Sequence, residues 1–344
     1  MVIITSKKGT EIRVLEFDKF DVDLTSQKDF ELTISASQYD DAFDYGARVF
    51  VPDTEYGGII GDKKVNTEAN TVTLQGLNWR GLLNSKIISP AAGADYKVVS
   101  GELNTILRQL ISEAGIGSLF YVPIIDTNVT LTNYQFNRYC TLYDGIEKML
   151  NEAQTRTGGT PYRMNLRYVQ GGPGEAGYVR LTAEPCVDYS ATLELSQDNQ
   201  INFTIEQKRN GVNHLICLGQ GDLHDRVVRH IYANSEGKIS TNQTMFGIDE
   251  IAEAYDYGSA ETADILVEEG KKRLMEITNC ETFEMDAASL EMEVEIGDII
   301  GGRDYITGTS CSDYITNKIY KIEDDKVTIE YTIGGEQKDE VIIT

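Results

Sequence analysis

The chain has 344 residues, 41% hydrophobic and 25% charged, a balance that fits two or three globular portions with real cores. Its 55 acidic and 31 basic residues leave a formal net charge of −24, which argues against nucleic-acid binding through a basic face, because phosphate contacts need clustered Lys and Arg. No run approaches the ~18 apolar residues of a membrane-spanning helix, and "MVIITSKKGTEI" does not read as a secretory signal.

In chain order, the first portion, 1–88, reads as β. "EIRVLEFDKFDVDLT" and "KDFELTISAS" alternate apolar and polar residues, "ARVFVPD" is a further strand, and "GGIIGDKKVNTEANTVTLQGL" predicts two strands around a polar turn at Glu68-Ala69-Asn70. "NWRGLLNSKII" then predicts a short helical turn running into a strand. The second portion, 89–200, is mixed. "SGELNTILRQLISEAG" is a helix with its stripe on Leu103, Ile106, Leu107, Leu110, Ile111 and Ala114, an N-cap at Ser100 and a stop at Gly115. "TLYDGIEKMLNEAQT" is a second helix, with Thr141 and Asp144 forming a capping box. "PYRMNLRYVQ", "GYVRLTAEP" and "SATLELS" are strands, and the Gly/Pro turn "GGPGEAG" separates the first two. Helices between strands predict a small α/β or α+β module here.

The third portion, 201–344, returns to β with "INFTIEQKR", "NHLICLGQG" and "RVVRHIYAN". A polar stretch from Ser235 to Ser259 precedes a helix at about 261–277 that tolerates Gly270 in its interior. "CETFEMDA", the Gly-Asp block "VEIGDIIGGRDYITG" (Val294 to Gly308), "NKIYKIEDD" and "KVTIEYTIGG" close the chain as strands. The predicted class is α+β, mainly β.

A search for chemistry finds little. The five cysteines (Cys140, Cys186, Cys217, Cys280 and Cys311) are scattered with no CxxC, which predicts reduced thiols buried as small hydrophobes. His214, His224, His230 and Cys217 match no metal-ligand spacing, and period two in a strand puts His214 and Cys217 on opposite faces, so no metal site is predicted. "QYDDAFDYG", with Asp40, Asp41 and Asp44, lacks the register of a calcium loop. Asp18, Asp21 and Asp23 read as a charged loop or strand edge. "LGQGDLH" lacks the third glycine and the following helix of a dinucleotide loop. G-x-S-x-G, a P-loop and HExxH are absent from the sequence, no cofactor is predicted and no catalytic residue stands out.

Three stretches together resemble the hub proteins of siphophage tails, also called tail-tip, tail-associated or baseplate hub proteins of phages and prophages. "LQGLNWRGLLNSKII" is similar to the block that closes the family's first β domain, matched by Gly76, Leu82, Leu83, Lys86, Ile87 and Ile88. "LGQGDLHDRVVRHIY" resembles its Gly-x-Gly followed by an Arg-rich strand, at Gly219, Gly221, Arg226 and Arg229. A helix with Ala263, Gly270 and Leu274 leads to a Gly-Asp block at Gly297 and Asp298 and to paired terminal strands.

The resemblance implies two related, tube-forming, β-barrel-like domains (1–88 and 201–344) flanking the inserted α/β domain (89–200). It implies a homotrimeric ring that continues the tail tube. Its partners would be the distal tail or tube protein above and a fibre, spike or lysin below, with DNA only as passing cargo and no membrane span. The place of action would be the virion tail, with the protein made in the bacterial cytoplasm. Some members carry a C-terminal lytic or receptor-binding extension. The chain ends at Thr344, so lytic activity is expected on another protein. Two rival readings stand beside this one: a cell-wall glycan or peptidoglycan hydrolase working through an unmarked carboxylate pair, and a carbohydrate- or receptor-binding module with Trp79 as a stacking platform or, more simply, as core.

Overall fold

The computed structural model describes the chain apart from residues 18, 158–159, 173, 191–193, 196–201, 261, 288–293, 325 and 335–344. Asp18, Pro173 in the Gly/Pro turn, much of the 190–201 stretch and the end of the last strand-like run therefore lie outside the described residues. The elements are predominantly β, as the alternating sequence predicts. The first are β1 (Val2–Thr5), β2 (Glu11–Leu15), β3 (Lys19–Asp23), β4 (Asp29–Ser35), β5 (Arg48–Phe50), β6 (Gly57–Ile59), β7 (Asp62–Asn66), β8 (Thr71–Leu77) and helix α1 (Trp79–Asn84). They are followed by β9 (Val98–Glu102), α2 (Leu103–Glu113), β10 (Phe120–Tyr121), β11 (Thr130–Gln135), α3 (Leu142–Thr157), β12 (Tyr162–Val169), β13 (Tyr178–Pro185) and β14 (Glu194–Leu195). Then come β15 (Asn202–Lys208), β16 (His214–Leu218), β17 (Val228–Ala233), β18 (Ile239–Ser240), β19 (Ala252–Asp256), α4 (Ala263–Ile277), β20 (Cys280–Ala287), β21 (Ile299–Arg303), β22 (Ser310–Glu323) and β23 (Lys326–Ile333).

Two compact units emerge. The first comprises Met1–Glu194, Asp286–Gly301 and Tyr314–Ile333; the second comprises Leu195–Met285, Gly302–Asp313 and Gly334–Thr344. In the first, a path of strands runs β23-β22-β3-β4-β8-β7, so both ends of the sequence contribute to one sheet. Strand β3 pairs antiparallel with β22 on one side (Phe20↔Ile322, Val22↔Tyr320) and with β4 on the other. The alternation of β3 and β4 then sorts side chains by face. Phe20, Val22, Phe30, Leu32 and Ile34 are buried together with Val72 and Leu74 of β8, while Asp21, Asp23 and Glu31 project from the opposite face. Asp21 and Asp23 are thus neither loop nor edge: they line the polar face of an interior strand. The sequence run "EIRVLEFDKFDVDLT" also divides, because β2 pairs with β1 in a separate sheet of order β2-β1-β5-β6.

The main apolar cluster of this unit gathers Trp79 and Leu83 of α1, the stripes of α2 and α3, and Met164, Leu166, Tyr168, Val179 and Leu181 of the β12–β13 hairpin. Each such side chain contributes roughly 1.5–3 kcal/mol on leaving water. Helix α2 starts two residues later than its sequence predicts. Its N-cap is Glu102, not Ser100: the Glu102 carboxylate accepts from the amides of Asn104 (3.0 Å) and Thr105 (2.8 Å). Residues 98–102 are held as β9 against β11, which leaves Ser100 inside a strand. In α3 the expected cap is present, with the Asp144 amide donating to the Thr141 hydroxyl at 3.0 Å.

In the second unit a sheet of order β18-β17-β16-β19 has α4 packed on one face. Leu215, Cys217, Ile231 and Ala233 point at Leu266 and Leu274 of that helix. Gly270 sits mid-helix, where glycine costs about 1 kcal/mol of helix propensity, because a Cβ there would lie 2.4 Å from the Cys217 Sγ and 2.7 Å from Ile231. The helix rides close to the sheet only with that side chain absent. Strand β19, inside the polar stretch that carries no strand signal, pairs parallel with β16 (Leu215↔Glu253, Cys217↔Tyr255).

Candidate functional site

The motif residues fall into three places. Around β8 and α1, Gly76 pairs with Phe30, and a Cβ on it would stand 1.9 Å from the Ile59 carbonyl oxygen, so the close approach of β6 demands glycine. Leu83 is wholly buried and Leu82 packs at the margin of the same cluster. Ile87 is half exposed and bridges to Thr141, while the Leu142 amide donates to the Lys86 carbonyl at 2.7 Å. The block therefore docks α1 onto the start of α3. Trp79 beside it is fully buried and stacks on Tyr168 at 5.2 Å, so it is core and no platform for a sugar. Next to it Arg80, also buried, pairs with Glu55 and reaches the Met164 carbonyl at 3.5 Å. Burial works against the Arg80 charge, but the Glu55 carboxylate outweighs it and holds the guanidinium protonated.

The second place is the loop between β16 and β17. The Gly219 amide donates to the Val227 carbonyl at 2.8 Å. Gly221 takes φ +107, a left-handed conformation that favours glycine. Arg226 donates from Nε to the Gly219 carbonyl (3.0 Å) and from Nη2 to Asp256 at the end of β19 (2.5 Å). Gly-x-Gly and its arginine thus form one closed turn, tied to a neighbouring strand of the same sheet.

The third place is the Gly-Asp block, the most connected polar cluster among these residues. Gly297 turns the chain at φ +93. Asp298 is 1% exposed. Its Oδ1 accepts from Arg163 Nη1 and from the Val187 amide (2.8 Å), and its Oδ2 accepts from the Glu295 amide (2.9 Å). The Ile315 amide of β22 donates to the Asp298 carbonyl at 2.9 Å and the Gly297 amide donates to the Ile315 carbonyl at 2.8 Å. Next to it, Glu295 accepts from Arg167 (3.1 Å) and from the buried Lys318 (3.3 Å), whose ammonium lies between the rings of Tyr56 and Tyr331 at 5.5 and 5.7 Å. Arg163 and Arg167 both come from β12. The block therefore joins residues 162–187, through the Asp298 carboxylate, to β22, through the Gly297 and Asp298 backbone, a junction between stretches more than 100 residues apart in sequence. Burial pushes the nearby Cys186 thiol up to about 11, against the Arg163 charge, so it stays a neutral packing group.

Other candidates are looser. A polar cavity of about 300 Å³ is lined by Thr5, Gly9, Thr10, Gln170, Gly171 and Glu175. On the polar face of β3 and β4, partial burial and then the charges of Asp23 and Glu31 push the Asp29 carboxyl up. The same face holds Lys19, 2.5 Å from Asp21, so these acids belong to a mixed-charge sheet face and not to the isolated carboxylate pair of a glycosidase. Asp40 closes its own turn, accepting the Ala42 amide at 2.9 Å. Among the described residues no three metal-ligating side chains converge. His214 and Cys217 do lie on opposite faces of β16, but His214 meets His230 across the strands, a pairing that sequence spacing alone did not reveal.

No protein-family model and no curated protein sequence matches the chain. Solved structures do match it over nearly its full length. The tail protein from Neisseria meningitidis MC58 is 14% identical, covers 97% of this chain and 97% of its own, and superposes with a TM-score of 0.50. The 43 kDa tail protein of prophage MuSo2 from Shewanella oneidensis is 11% identical, covers 96% and 97%, and gives 0.52. The prophage tail protein gp18 from Listeria monocytogenes EGD-e is 12% identical, covers 98% and 95%, and also gives 0.52. At such low identity these likenesses establish fold.

Proposed function

The chain has the mainly-β, α+β fold of phage and prophage tail proteins, and we propose that it is a structural subunit of such a tail, the hub at the tip of the tail tube. In this reading it closes with two further copies into a ring. Residues 1–88 and 201–344 supply two related tube-type portions, with 89–200 as the inserted α/β portion. It meets a distal tail or tube protein on one side and a fibre, spike or lysin on the other. The observation that supports the reading is the end-to-end agreement in fold with tail proteins from three different bacteria. The motif residues fit a scaffold, since Gly76, Gly219, Gly221, Arg226, Gly297 and Asp298 all close turns or strands. A C-terminal label on particles imaged in negative stain is expected at the distal tip of the tail. Label absent from purified tails, or spread along the tube, would overturn the assignment.

The two-faced sheet gives the ring an electrostatic role. With one face buried in apolar packing, the other carries Asp21, Asp23, Asp29 and Glu31 with Lys19 and Lys321 among them, Lys19 pairing with Asp21 at 2.5 Å, and is acidic on balance. Turned to the bore, that face repels phosphates, so DNA passes without the counterion exchange that makes basic surfaces retain it. Replacing Asp21, Asp23 and Glu31 together by Lys is expected to slow DNA ejection; ejection at the unaltered rate would remove the face from the bore.

A further inference from the structure

We propose that His214 and His230 form a two-histidine chelate for a divalent first-row transition-metal ion. The pairing is cross-strand. In the antiparallel register His214 opposes Tyr232 and Ile216 opposes His230, so the two imidazoles are diagonal neighbours on the face of the sheet that α4 does not cover. His214 Nε2 lies 2.7 Å from His230 Nδ1. The other nitrogen of His214, Nδ1, lies 2.5 Å from Glu250 Oε1. A carboxylate on the far nitrogen fixes the tautomer: Nδ1 carries the proton and donates it to Glu250, which leaves the Nε2 lone pair aimed at His230. A carboxylate behind a ligating imidazole is the arrangement that orients metal-binding histidines and raises their basicity.

Glu250 is itself held in place. Asn213 donates to the Asp249 carbonyl at 2.7 Å and accepts the Ile251 amide at 3.0 Å, which clamps residues 249–251 to the start of β16. The Tyr232 ring lies 4.6 Å from His214 and 6.4 Å from His230. His214 is buried and His230 is exposed, so an ion reaches the pair from solvent. With metal–nitrogen bonds of about 2.0–2.1 Å, two tetrahedral ligands stand about 3.3 Å apart, so the two nitrogens, now hydrogen-bonded to each other, separate by roughly half an ångström and each ring turns until both lone pairs converge on the ion. The His230 proton moves from Nδ1 to Nε2, so the imidazole stays neutral and binding releases no proton. With no third side chain converging among the described residues, water fills the remaining positions.

The chain contains three histidines, and the third, His224, is 88% exposed on the loop, which makes it the control. The untagged full chain, stripped with chelator, would be titrated with Zn²⁺ and then Cu²⁺ by calorimetry and by imidazole ¹⁵N NMR. One equivalent is expected, with the His214 and His230 resonances moving together under Zn²⁺ and broadening together under paramagnetic Cu²⁺, His224 unaffected, and Cu²⁺ tighter than Zn²⁺. His230→Ala, at an exposed position, is expected to weaken binding roughly 100-fold by removing the chelate. Glu250→Gln is expected to weaken it about 10–100-fold, and His224→Ala to leave it unchanged. No binding of Zn²⁺ or Cu²⁺ by about 1 mM ion, or binding that survives His230→Ala, would overturn the proposal.

Discussion

The Gly-Asp block at residues 294–299 and the Gly-x-Gly loop at 219–226 use the same parts: a glycine in left-handed conformation, an arginine and an aspartate. They differ in the length of chain they close and in depth. Arg226 reaches 7 residues back to Gly219 and 30 forward to Asp256, which is 64% exposed. Arg163 and Asp298 are 135 residues apart, with side chains only 13% and 2% exposed. The loop is a local closure that the hairpin would adopt for its own reasons. The Gly-Asp block is a long-range junction, formed only when the hairpin and the C-terminal strand have both arrived. Closing so long a segment carries an entropy cost that a surface ion pair does not repay, and it is offset here by burial and by two backbone amides that Asp298 satisfies.

That contrast can be broken most directly at Asp298. Asp298→Ala leaves the mostly covered Arg163 with only the Pro185 carbonyl and orphans the Val187 and Glu295 amides, so a loss of about 3 kcal/mol is expected in urea unfolding. An intermediate case is Glu102, which caps α2 locally but also accepts from Thr127, 25 residues away. Burial works against the Glu102 charge, and the hydrogen bonds it accepts from Asn104, Thr127 and Thr105 outweigh it and hold the carboxyl below its usual range. A depressed carboxylate stabilises the fold above the ordinary Glu range and loses that contribution as pH falls through its folded value. Glu102→Gln is therefore expected to cost about 0.5–1 kcal/mol at neutral pH, with the gap to the parent chain closing in acid. A gap that stays constant as pH falls would show that the carboxylate charge is immaterial. The smallest effect is expected at Asp256→Ala, about 0–1 kcal/mol. Should Asp256→Ala and Asp298→Ala prove equally costly, the distinction between local closure and long-range junction fails.

The same distinction separates what the sequence carried from what it did not. Amphipathic stripes and caps are local, so α2, α3 and α4 were readable, as was the β7–β8 turn at Glu68–Asn70. Ser100 misled because both it and Glu102 are competent caps, and the choice is made by β9 pairing with β11. Strand β19, Ala-Glu-Ala-Tyr-Asp, has low β propensity and exists because β16 offers it an edge. The Gly-Asp motif was visible, but Arg163, Arg167 and Lys318 as its partners were not. Likewise His214 and His230 sit 16 residues apart with no helical rhythm; only the hairpin register joins them. Two histidines in consecutive predicted strands were the available signal.

Cys186 and Cys217 are each buried, one in each unit, and burial pushes both thiols up to about 11. Alkylation needs thiolate and access, and the folded chain denies both at neutral pH. Each sulfur is thereby a stopwatch that starts when its own unit opens. Pulse labelling with a thiol reagent, followed by peptide mass spectrometry, would time the two openings separately in one sample, without a single substitution.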